Sequence, residues 1–336
     1  MTDGPPSIRY VSDSTFRWSR KKHGKGFRFL DEEGNVLAAK EMDRIKKLGI
    51  PPAWTDVRIC HKENGHIQAV GFDAKGRKQY IYHPVWTEYN QQHKFDRMVR
   101  FGEVLPTLRE TVSGHMRQHN LTRERILATV VWLLENTFIR VGNKQYERDN
   151  KSYGLTTLRG KHVKVRGNTV KFRFKGKSGV YHDLAVTNKR VAATIKKCSE
   201  LPGYELFQYL DEDYDRQTID SSDVNEYMQS ITGETLSAKD FRTWGGTTLA
   251  GDTLYQWGKP ESEAEVKKAL NHTVKEVSSH LRNTVNVCRK YYIHPKIVES
   301  YQKDLLIPHF EKIYKSKKYP VDGLSIEETA AWMLLK

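Results

Sequence analysis

Four side chains of this sequence have types suited to chemistry on a phosphodiester: Arg140, Lys177, Arg242 and Tyr292. A tyrosyl oxygen can attack phosphorus, and fixed guanidinium groups can stabilise the highly charged transition state in place of a metal ion. Each residue also has a simpler interpretation, since arginines pair ions at surfaces, lysines occupy flexible turns, and most of the 17 tyrosines only pack. The four residue types are therefore compatible with phosphate chemistry assisted by positive charge, which is one interpretation among others.

The sequence lacks the motifs of several other reaction types. It contains no HExxH metalloprotease motif, no Walker A phosphate loop and no GxSxG nucleophile motif. The acidic run 211–215 begins like a calcium loop, but Arg216 replaces the required glycine and Ser222 replaces the bidentate glutamate. We interpret that run as a solvated loop, and we find no carboxylate set for a two-metal nuclease. We therefore expect neither a metal ion nor another cofactor.

The charge balance indicates a polyanionic partner. The 336 residues include 56 Lys and Arg against 41 Asp and Glu, a formal net charge of +15. Such an excess favours nucleic acid over an acidic small molecule as the partner, although a generically basic protein would share it.

The sequence gives no indication of export or of a membrane segment. Cys60, Cys198 and Cys288 are odd in number and widely spaced, which predicts neither a disulfide framework nor a zinc site. Residues 1–20 are polar and lack the apolar core of a signal peptide, and apolar runs such as 130–134 are too short to span a bilayer. We therefore expect a cytoplasmic protein without membrane contact.

The elements that must position the four side chains divide the chain into two parts. Over 8–82, short apolar pieces alternate with turn signals such as Asn64-Gly65, which predicts a small strand-rich domain. A linker is predicted at 90–94, and helical periodicity begins beyond it. We therefore predict an α+β protein with a β-rich domain at 1–90 and a mainly α-helical domain at 91–336.

Local patterns within the second part place the first arginine. Apolar positions at helical spacing predict helices over 94–111 and 122–139, with Thr122 as the N-cap of the second helix and Arg140 at its end. Alternation of apolar and basic residues over 163–174 predicts a β-hairpin with one apolar and one cationic face.

The remaining three candidates follow in order. Lys177 lies in the turn of a second predicted hairpin, and a capping box at 237–240 opens a helix with Arg242 in its first turns. A long helix is predicted over 266–281, and after a break near 283 the chain resumes as a segment that carries Tyr292. We expect Arg140 and Arg242 at helix ends, each beside a glycine-containing turn.

These segments resemble, in order, the motif set of the type IB topoisomerases, in the compact bacterial and poxvirus-like branch. The matching segments of the predicted helical domain are 138–142, 153–158, 174–179, 239–244 and 287–295. Those of the predicted β-rich domain are 8–12, 50–56 and 76–80. The resemblance therefore extends over nearly the whole chain, and several separate motifs carry it.

The resemblance implies an enzyme that relaxes positive and negative DNA supercoils by cutting and rejoining one strand, without ATP or a metal ion. Tyr292 would attack phosphorus to form a 3′-phosphotyrosyl intermediate, and Lys177 would protonate the departing 5′ oxygen. Arg140 and Arg242 would stabilise the non-bridging phosphate oxygens. Asn283 would donate a hydrogen bond to a phosphate oxygen, but could not transfer protons as a histidine can.

The resemblance also implies a monomer shaped as a C-shaped clamp. A small β-rich N-terminal domain and a mostly helical, tyrosine-recombinase-like catalytic domain would close around double-stranded DNA. The residues expected to contact DNA are Arg77, Gln79, Tyr80, Lys175, Arg289 and Lys290. The implied location is the cytoplasm in association with DNA, which in a bacterium is the nucleoid.

Two departures from the family pattern lie beside the expected nucleophile. Residues 281–285 read Leu-Arg-Asn-Thr-Val where bacterial members usually read Leu-Gly-Asn-Thr-Pro. Tyr291 and Tyr292 stand where a single tyrosine is usual. Successive helical side chains point about 100° apart, so only one can face a phosphate, and alignment to 293–295 favours Tyr292.

Two other classes of protein stay open. A tyrosine recombinase shares the Arg, Lys and Tyr chemistry, but the pattern at 240–244 and the N-terminal motif at 50–56 favour the topoisomerase. A catalytically inert duplex-binding protein would be indifferent to Tyr292→Phe, so this substitution distinguishes it from an enzyme.

Overall fold

The structure is a computed structural model that describes residues 5, 7–24, 26–74, 76, 78–316 and 322–336, with the backbone alone at 90–93, 145, 146 and 149. The chain divides into two compact units, Met1–Lys94 and Phe95–Lys336. The first is a small sheet unit and the second is mainly helical, which confirms a mixed α+β protein. The clamp shape concerns both units together and stays a prediction. Among the described helices, none is both long and apolar enough to cross a membrane.

The first unit is built on a five-stranded antiparallel sheet. Its elements are β1 (Trp18–His23), β2 (Gly26–Leu30), α1 (Ala39–Lys47), β3 (Thr55–Ile59), β4 (Ile67–Phe72) and β5 (Lys78–Tyr82). The strand order is β2-β1-β3-β4-β5, and each neighbouring pair is antiparallel. Ile45 of α1 packs against Val57 and Ile59 in an apolar core. The predicted strand-rich N-terminal region is confirmed.

The helix that follows begins earlier than its sequence pattern indicates. Helix α2 (Pro84–His115) includes residues 90–94, for which we predicted a linker, and starts at Pro84 instead of residue 94. Proline has no N–H, but the first turn of a helix needs none, so Pro84 can begin the helix. The polar residues after it include good helix formers such as glutamine and lysine, and polarity alone was misleading here.

The second unit contains the other helices and two further sheets. Its elements after α2 are α3 (Arg123–Thr137), α4 (Lys144–Asn150), β6 (Val163–Arg166), β7 (Thr169–Lys175), β8 (Tyr181–Thr187), α5 (Lys189–Glu200), β9 (Gln208–Leu210), β10 (Arg216–Thr218), α6 (Ser221–Thr232), α7 (Ala238–Trp257), α8 (Glu263–Leu281), α9 (Val285–Tyr291), α10 (Pro295–Gln302), α11 (Leu306–Lys315) and α12 (Ile326–Leu335). Strands β6, β7 and β8 form one antiparallel sheet, and β9 and β10 form another.

Several local predictions for this unit are confirmed. The Thr122 side chain accepts a hydrogen bond from the Arg125 N–H and so caps α3. Capping boxes open α7 at Ser237 and α12 at Ser325. Burial alternates along β7, as predicted for a strand with one apolar and one cationic face. The acidic run 211–215 is the exposed turn between β9 and β10.

Helix α7 is the central element of the second unit. It packs against α3, α6, α8, α10, α11 and α12, and most of its residues are buried. Gly245 and Gly246 lie inside this helix, so the glycine turn that we predicted beside Arg242 is wrong. A Cβ at Gly246 would lie 2.5 Å from the carbonyl oxygen of Tyr292, and one at Gly245 would overlap the ring of Phe138. These glycines permit close packing, and no turn requires them.

We expect Gly246→Ala to lower the free energy of unfolding by about 1–3 kcal/mol, because the new methyl group overfills a packed contact. The same change in an open part of a helix stabilises by about 0.5–1 kcal/mol, because alanine loses less backbone entropy on folding. Gly114 in α2 is exposed with nothing near the position of its missing Cβ, so Gly114→Ala is the matched control. Urea denaturation measures the free energy of unfolding of both variants. Equal changes in the two would contradict the close contact at Gly246.

Candidate active site

Arg140 is held by an extended segment that follows α3. Helix α3 ends at Thr137, and Phe138 adopts the left-handed conformation with φ of 52°. The carbonyl oxygen of Arg140 accepts a hydrogen bond from the Leu155 N–H at 2.9 Å. Gly154 approaches so closely that a Cβ there would lie 2.5 Å from the same oxygen. The matching segment 153–158 therefore fixes the backbone that carries Arg140.

Arg242 lies in the first turns of α7 and is 3% exposed. Its Nη1 donates to the carbonyl oxygen of Phe138, and its Nη2 donates to that of Leu281 at 2.7 Å. Both acceptors are neutral, so they orient the guanidinium group without cancelling its charge. Arg242 therefore keeps its positive charge available in a buried position.

The end of α8 brings the two arginines together. Asn283, two residues after the last residue of the helix, accepts a hydrogen bond from Arg140 Nη2 through its Oδ1. Leu281, the last residue of the helix, is the carbonyl partner of Arg242. Between them, Arg282 donates from Nη1 to Nδ1 of His182 on β8 at 2.9 Å.

Tyr292 completes this group. It is 8% exposed and follows α9, and its ring centre lies 5.2 Å from the Arg242 guanidinium carbon. Its carbonyl oxygen accepts a hydrogen bond from Thr247 Oγ1 at 3.4 Å, which ties its backbone to α7. The neighbouring Tyr291 lies against Lys290, whose Nζ is 5.4 Å from the Tyr291 ring centre. The structure therefore brings Tyr292 to Arg242 and turns Tyr291 toward Lys290.

The electrostatics of the group favour a bound anion. Burial alone would raise the pKa of Tyr292, but the charges of Arg242, Lys239 and Arg140 outweigh it and lower that pKa below its ordinary 10.0. Burial and the nearby Arg242 charge lower the pKa of Arg140. Nε of Arg242 and Nδ2 of Asn283 are buried and have no acceptor within the described part of the chain. The group therefore offers positive charge and two unused donors.

Arg109 shows how a purely structural arginine differs. Its Nε binds Glu135 at 2.6 Å and its Nη2 binds Glu328 at 2.8 Å, so two carboxylates neutralise it. The partners of Arg140 and Arg242 are an amide oxygen and two backbone carbonyl oxygens. This difference in partner charge separates an arginine that fastens helices from one that can receive a ligand.

Lys177 is placed by the hairpin of β7 and β8. It begins the exposed turn Lys177–Gly179, in which Ser178 has a φ of 62°. The Tyr153 N–H donates to the Lys175 carbonyl oxygen at 2.8 Å, which joins this hairpin to the segment that supports Arg140. The prediction that Lys177 lies in the second hairpin turn is confirmed.

Of the six residues predicted to contact DNA, the three in the second unit lie outside this group. Lys175 is exposed at the end of β7, and Arg289 donates to Asn271 Oδ1 at 2.8 Å. Lys290 lies against Tyr291, as described above. In the first unit, Gln79 donates to Asp73 at 3.0 Å, and Tyr80 is 41% exposed and stacks on Tyr82. Arg77 is outside the described residues.

Two residues of the site were not found by sequence reasoning. His182 is a buried member of β8, and nothing in the local pattern marks it. Arg282 was noted only as a departure from the family pattern, and that departure was the available signal. Within the described ranges, no three His, Cys, Asp or Glu side chains are grouped as a metal ion would require.

Comparison with known proteins identifies the family. Residues 78–318 match the family model described as eukaryotic DNA topoisomerase I, catalytic core. Residues 26–73 match the bacterial DNA topoisomerase IB N-terminal domain. The chain belongs to the type IB DNA topoisomerases. The resemblance drawn from the motifs is thereby confirmed, and the protein is an enzyme of this family.

Viral members of the family are similar along most of their length. DNA topoisomerase 1B of Acanthamoeba polyphaga mimivirus is 32% identical over 91% of this chain and 92% of its own. DNA topoisomerase 1B of vaccinia virus, strain Copenhagen, is 26% identical over 83% of this chain and 88% of its own. Monkeypox virus DNA topoisomerase I shows the same values. Type IB topoisomerases of the compact kind are therefore the appropriate comparison.

We expect the enzyme to lose stability as the pH falls from about 6.5 to about 4. Burial, followed by the charges of Arg282, Arg140 and Arg242, lowers the pKa of His182 to about 4 from 6.5. Between these values the unfolded chain binds a proton that the folded chain does not. The free energy of unfolding therefore decreases as the pH decreases. Urea denaturation across this range measures the slope.

The variant His182→Phe tests the origin of that slope. Without the titrating ring, the slope is expected to be smaller by up to about 1.4 kcal/mol per pH unit, the value for one proton. An unchanged slope in the variant would show that His182 is protonated in the folded protein over this range.

Proposed function

We propose that this enzyme relaxes positive and negative DNA supercoils by cutting and rejoining one strand of duplex DNA through Tyr292. Tyr292 Oη forms a bond to phosphorus, the bond from phosphorus to the 5′ oxygen breaks, and a 3′-phosphotyrosyl link results. The freed 5′ end swivels, and its hydroxyl then attacks the link and restores the strand. The phosphotyrosyl bond keeps the energy of the phosphodiester, so the cycle needs no ATP.

The observation that carries this proposal is the pairing of a tyrosine with two arginines that no carboxylate neutralises among the described residues. Tyr292 lies against Arg242, and Arg242 and Arg140 share the junction at the end of α8. The unused donors on Arg242 and Asn283 suit the non-bridging oxygens of a phosphate. Because the guanidinium groups supply fixed positive charge where the transition state develops negative charge, the proposed reaction requires no metal ion.

Protons must move in two places during the proposed cleavage step. The Tyr292 phenol loses its proton to solvent, which its lowered pKa favours. The departing 5′ oxygen gains a proton from the Lys177 ammonium group, and the lysine takes it back during rejoining. The exposed turn of Lys177 suits this role, because the side chain can enter a groove of the duplex.

Double-stranded DNA is the proposed substrate. The relatives are named DNA topoisomerases, and the net charge of +15 suits a polyanion. Arg77, Gln79, Tyr80, Lys175, Arg289 and Lys290 are proposed to contact the duplex outside the reacting phosphate. We propose a monomer, since Arg140, Arg242 and Tyr292 come together within a single copy of the chain.

The test is relaxation of supercoiled plasmid in EDTA without nucleotide. We expect the wild type to relax both positive and negative supercoils and Tyr292→Phe to lose activity by several orders of magnitude, because the nucleophile is gone. Tyr291→Phe is the matched control and should retain activity, since Tyr291 turns toward Lys290.

The covalent intermediate provides a second measurement. A duplex labelled at the 5′ end of the cut strand should transfer its label to the wild type and to Tyr291→Phe on denaturing gels. Activity that survives Tyr292→Phe but not Tyr291→Phe would assign the nucleophile to Tyr291. An inactive wild type that still binds DNA would favour the inert binding protein, and strand exchange between two duplexes would favour the recombinase.

Removal of a proposed phosphate contact should change the salt dependence of binding. In a Tyr292→Phe background, which keeps binding noncovalent, Lys290→Ala should reduce the slope of log K against log salt concentration by about 0.9. Lys259→Ala is the control, because Lys259 is already paired with Asp304 at 2.8 Å. Binding is measured by fluorescence anisotropy. Equal salt slopes for the two variants would show that Lys290 does not contact DNA.

A further inference from the structure

Arg282 directly follows α8 as its C-cap, in a conformation that disfavours any residue with a side chain. Its φ of 49° and ψ of 54° lie in the left-handed region, where glycine is the usual choice at a helix end. A non-glycine residue persists there only when its surroundings hold it. The contacts of the Arg282 side chain are therefore the interactions that can hold this conformation.

Both contacts of Arg282 go to the strand that leaves the lysine turn. Nη1 donates to Nδ1 of His182 at 2.9 Å, and Nη2 reaches the carbonyl oxygen of Asp183 at 3.4 Å. His182 and Asp183 belong to β8, which begins just after the turn of Lys177. The end of α8 is thus fastened to the hairpin that carries Lys177.

His182 in turn packs against the residues that precede the Lys177 turn. Its buried ring stacks on Phe174 of β7, with ring centres 4.6 Å apart and planes 5° apart. Gly176, the residue before Lys177, packs so tightly on the ring that a Cβ there would lie 2.6 Å from His182 Nε2. The imidazole therefore supports both the strand before Lys177 and the residue next to it.

The charge state of His182 suits this contact. Its pKa of about 4 leaves the ring neutral near pH 7, so Nδ1 has a lone pair and can accept from Arg282. The residues on either side of Arg282 bind the other two cations: Leu281 binds Arg242, and Asn283 binds Arg140. One short segment therefore contacts both arginines and, through Arg282, the lysine hairpin.

We propose that Arg282 is a positioning residue that holds the Lys177 turn in register with the arginines and Tyr292. This inference rests on the proposed function, in which Lys177 delivers a proton to the departing 5′ oxygen. It acts through His182 and the β7–β8 hairpin and makes no contact with the reacting atoms. The alternative is that Arg282 binds a DNA phosphate directly. The two roles differ in whether a better leaving group restores cleavage by an Arg282 variant.

The test compares two duplexes that contain a cleavage site mapped for this enzyme on plasmid DNA. One has the natural phosphodiester, and the other has sulfur in place of the bridging 5′ oxygen. A thiol is far more acidic than an alcohol, so a thiolate departs without needing a proton donor. Single-turnover cleavage at saturating enzyme isolates the chemical step from DNA binding.

On the natural duplex, we expect Arg282→Gly to slow cleavage by about 100-fold, because a misplaced catalytic group loses about that factor. Lys177→Ala should slow it by about 100- to 10,000-fold. On the sulfur duplex, both variants should cleave within about threefold of the wild type. Glycine is the chosen replacement because it tolerates the left-handed backbone, so Arg282→Gly removes the side chain without adding strain.

The double variant Arg282→Gly, Lys177→Ala decides whether Arg282 acts through Lys177. If it does, Arg282→Gly adds nothing to the loss from Lys177→Ala. Losses that multiply would overturn the proposal and favour direct phosphate contact, and so would an Arg282→Gly defect that persists on the sulfur duplex while Lys177→Ala is rescued. Full cleavage by Arg282→Gly on the natural duplex would overturn it as well.

Two further variants are needed. One tests whether Arg282 acts through His182, and the other tests the effect of placing glycine at a left-handed position. His182→Phe keeps a ring to stack on Phe174 but removes the acceptor, so it should match Arg282→Gly and not add to it. Lys151→Gly replaces another exposed basic residue with a left-handed φ, 48°, and should cleave like the wild type. If sulfur fails to rescue Lys177→Ala while the double variant shows no added loss, the proton-donor role fails but the positioning role stands.

Discussion

Three consecutive residues, the last residue of α8 and the two that follow it, set the geometry on which the rest of the site depends. The Leu281 carbonyl oxygen binds Arg242, the Arg282 side chain binds β8, and the Asn283 amide binds Arg140. These partners lie on α7, on a β-hairpin and on the segment after α3, which are far apart in sequence. Because three adjacent residues share one backbone, a shift of any one of them moves all three contacts. The short helix α9, which precedes Tyr292, starts directly after this segment.

A second constraint is the charge of the group. Two guanidinium groups lie close together in a partly buried place, where burial first and then the positive charge of Arg242 lower the pKa of Arg140. Neutral acceptors hold both groups, so the free protein keeps a concentration of positive charge that a carboxylate would have removed. The stability of the fold must tolerate this repulsion. A phosphate would relieve it, and its transition state, with more negative charge, would relieve it further.

The sequence was informative where local chemistry decides structure. The caps at Thr122, Ser237 and Ser325 and the alternation in β7 each depend on a few neighbouring residues, and each was predictable. Residue type and motif order singled out Arg140, Arg242, Asn283 and Tyr292, which the structure brings into one group. Their catalytic roles stay proposals.

What the sequence could not provide depends on long-range packing. Glycine marks both a turn and a close helix contact, so Gly245 and Gly246 suggested a turn that α7 does not contain. The contact between His182 and Arg282 joins residues a hundred positions apart, and no local pattern indicates it. The polar stretch 90–94 has the composition of a linker and the propensity of a helix, and the helix prevails.

The close fit of Gly246 against the Tyr292 backbone bears on mechanical load. On the proposed mechanism, a swivelling duplex exerts torque on the strand end that is bound to the tyrosine. That force would pass from the side chain into a backbone whose carbonyl oxygen accepts a hydrogen bond from Thr247 Oγ1. Two residues further on, the His294 N–H donates to the same hydroxyl. Both contacts lead into α7, which packs against six other helices. On that mechanism, the fixed end of the DNA would be anchored in the interior of the protein while the other end rotates.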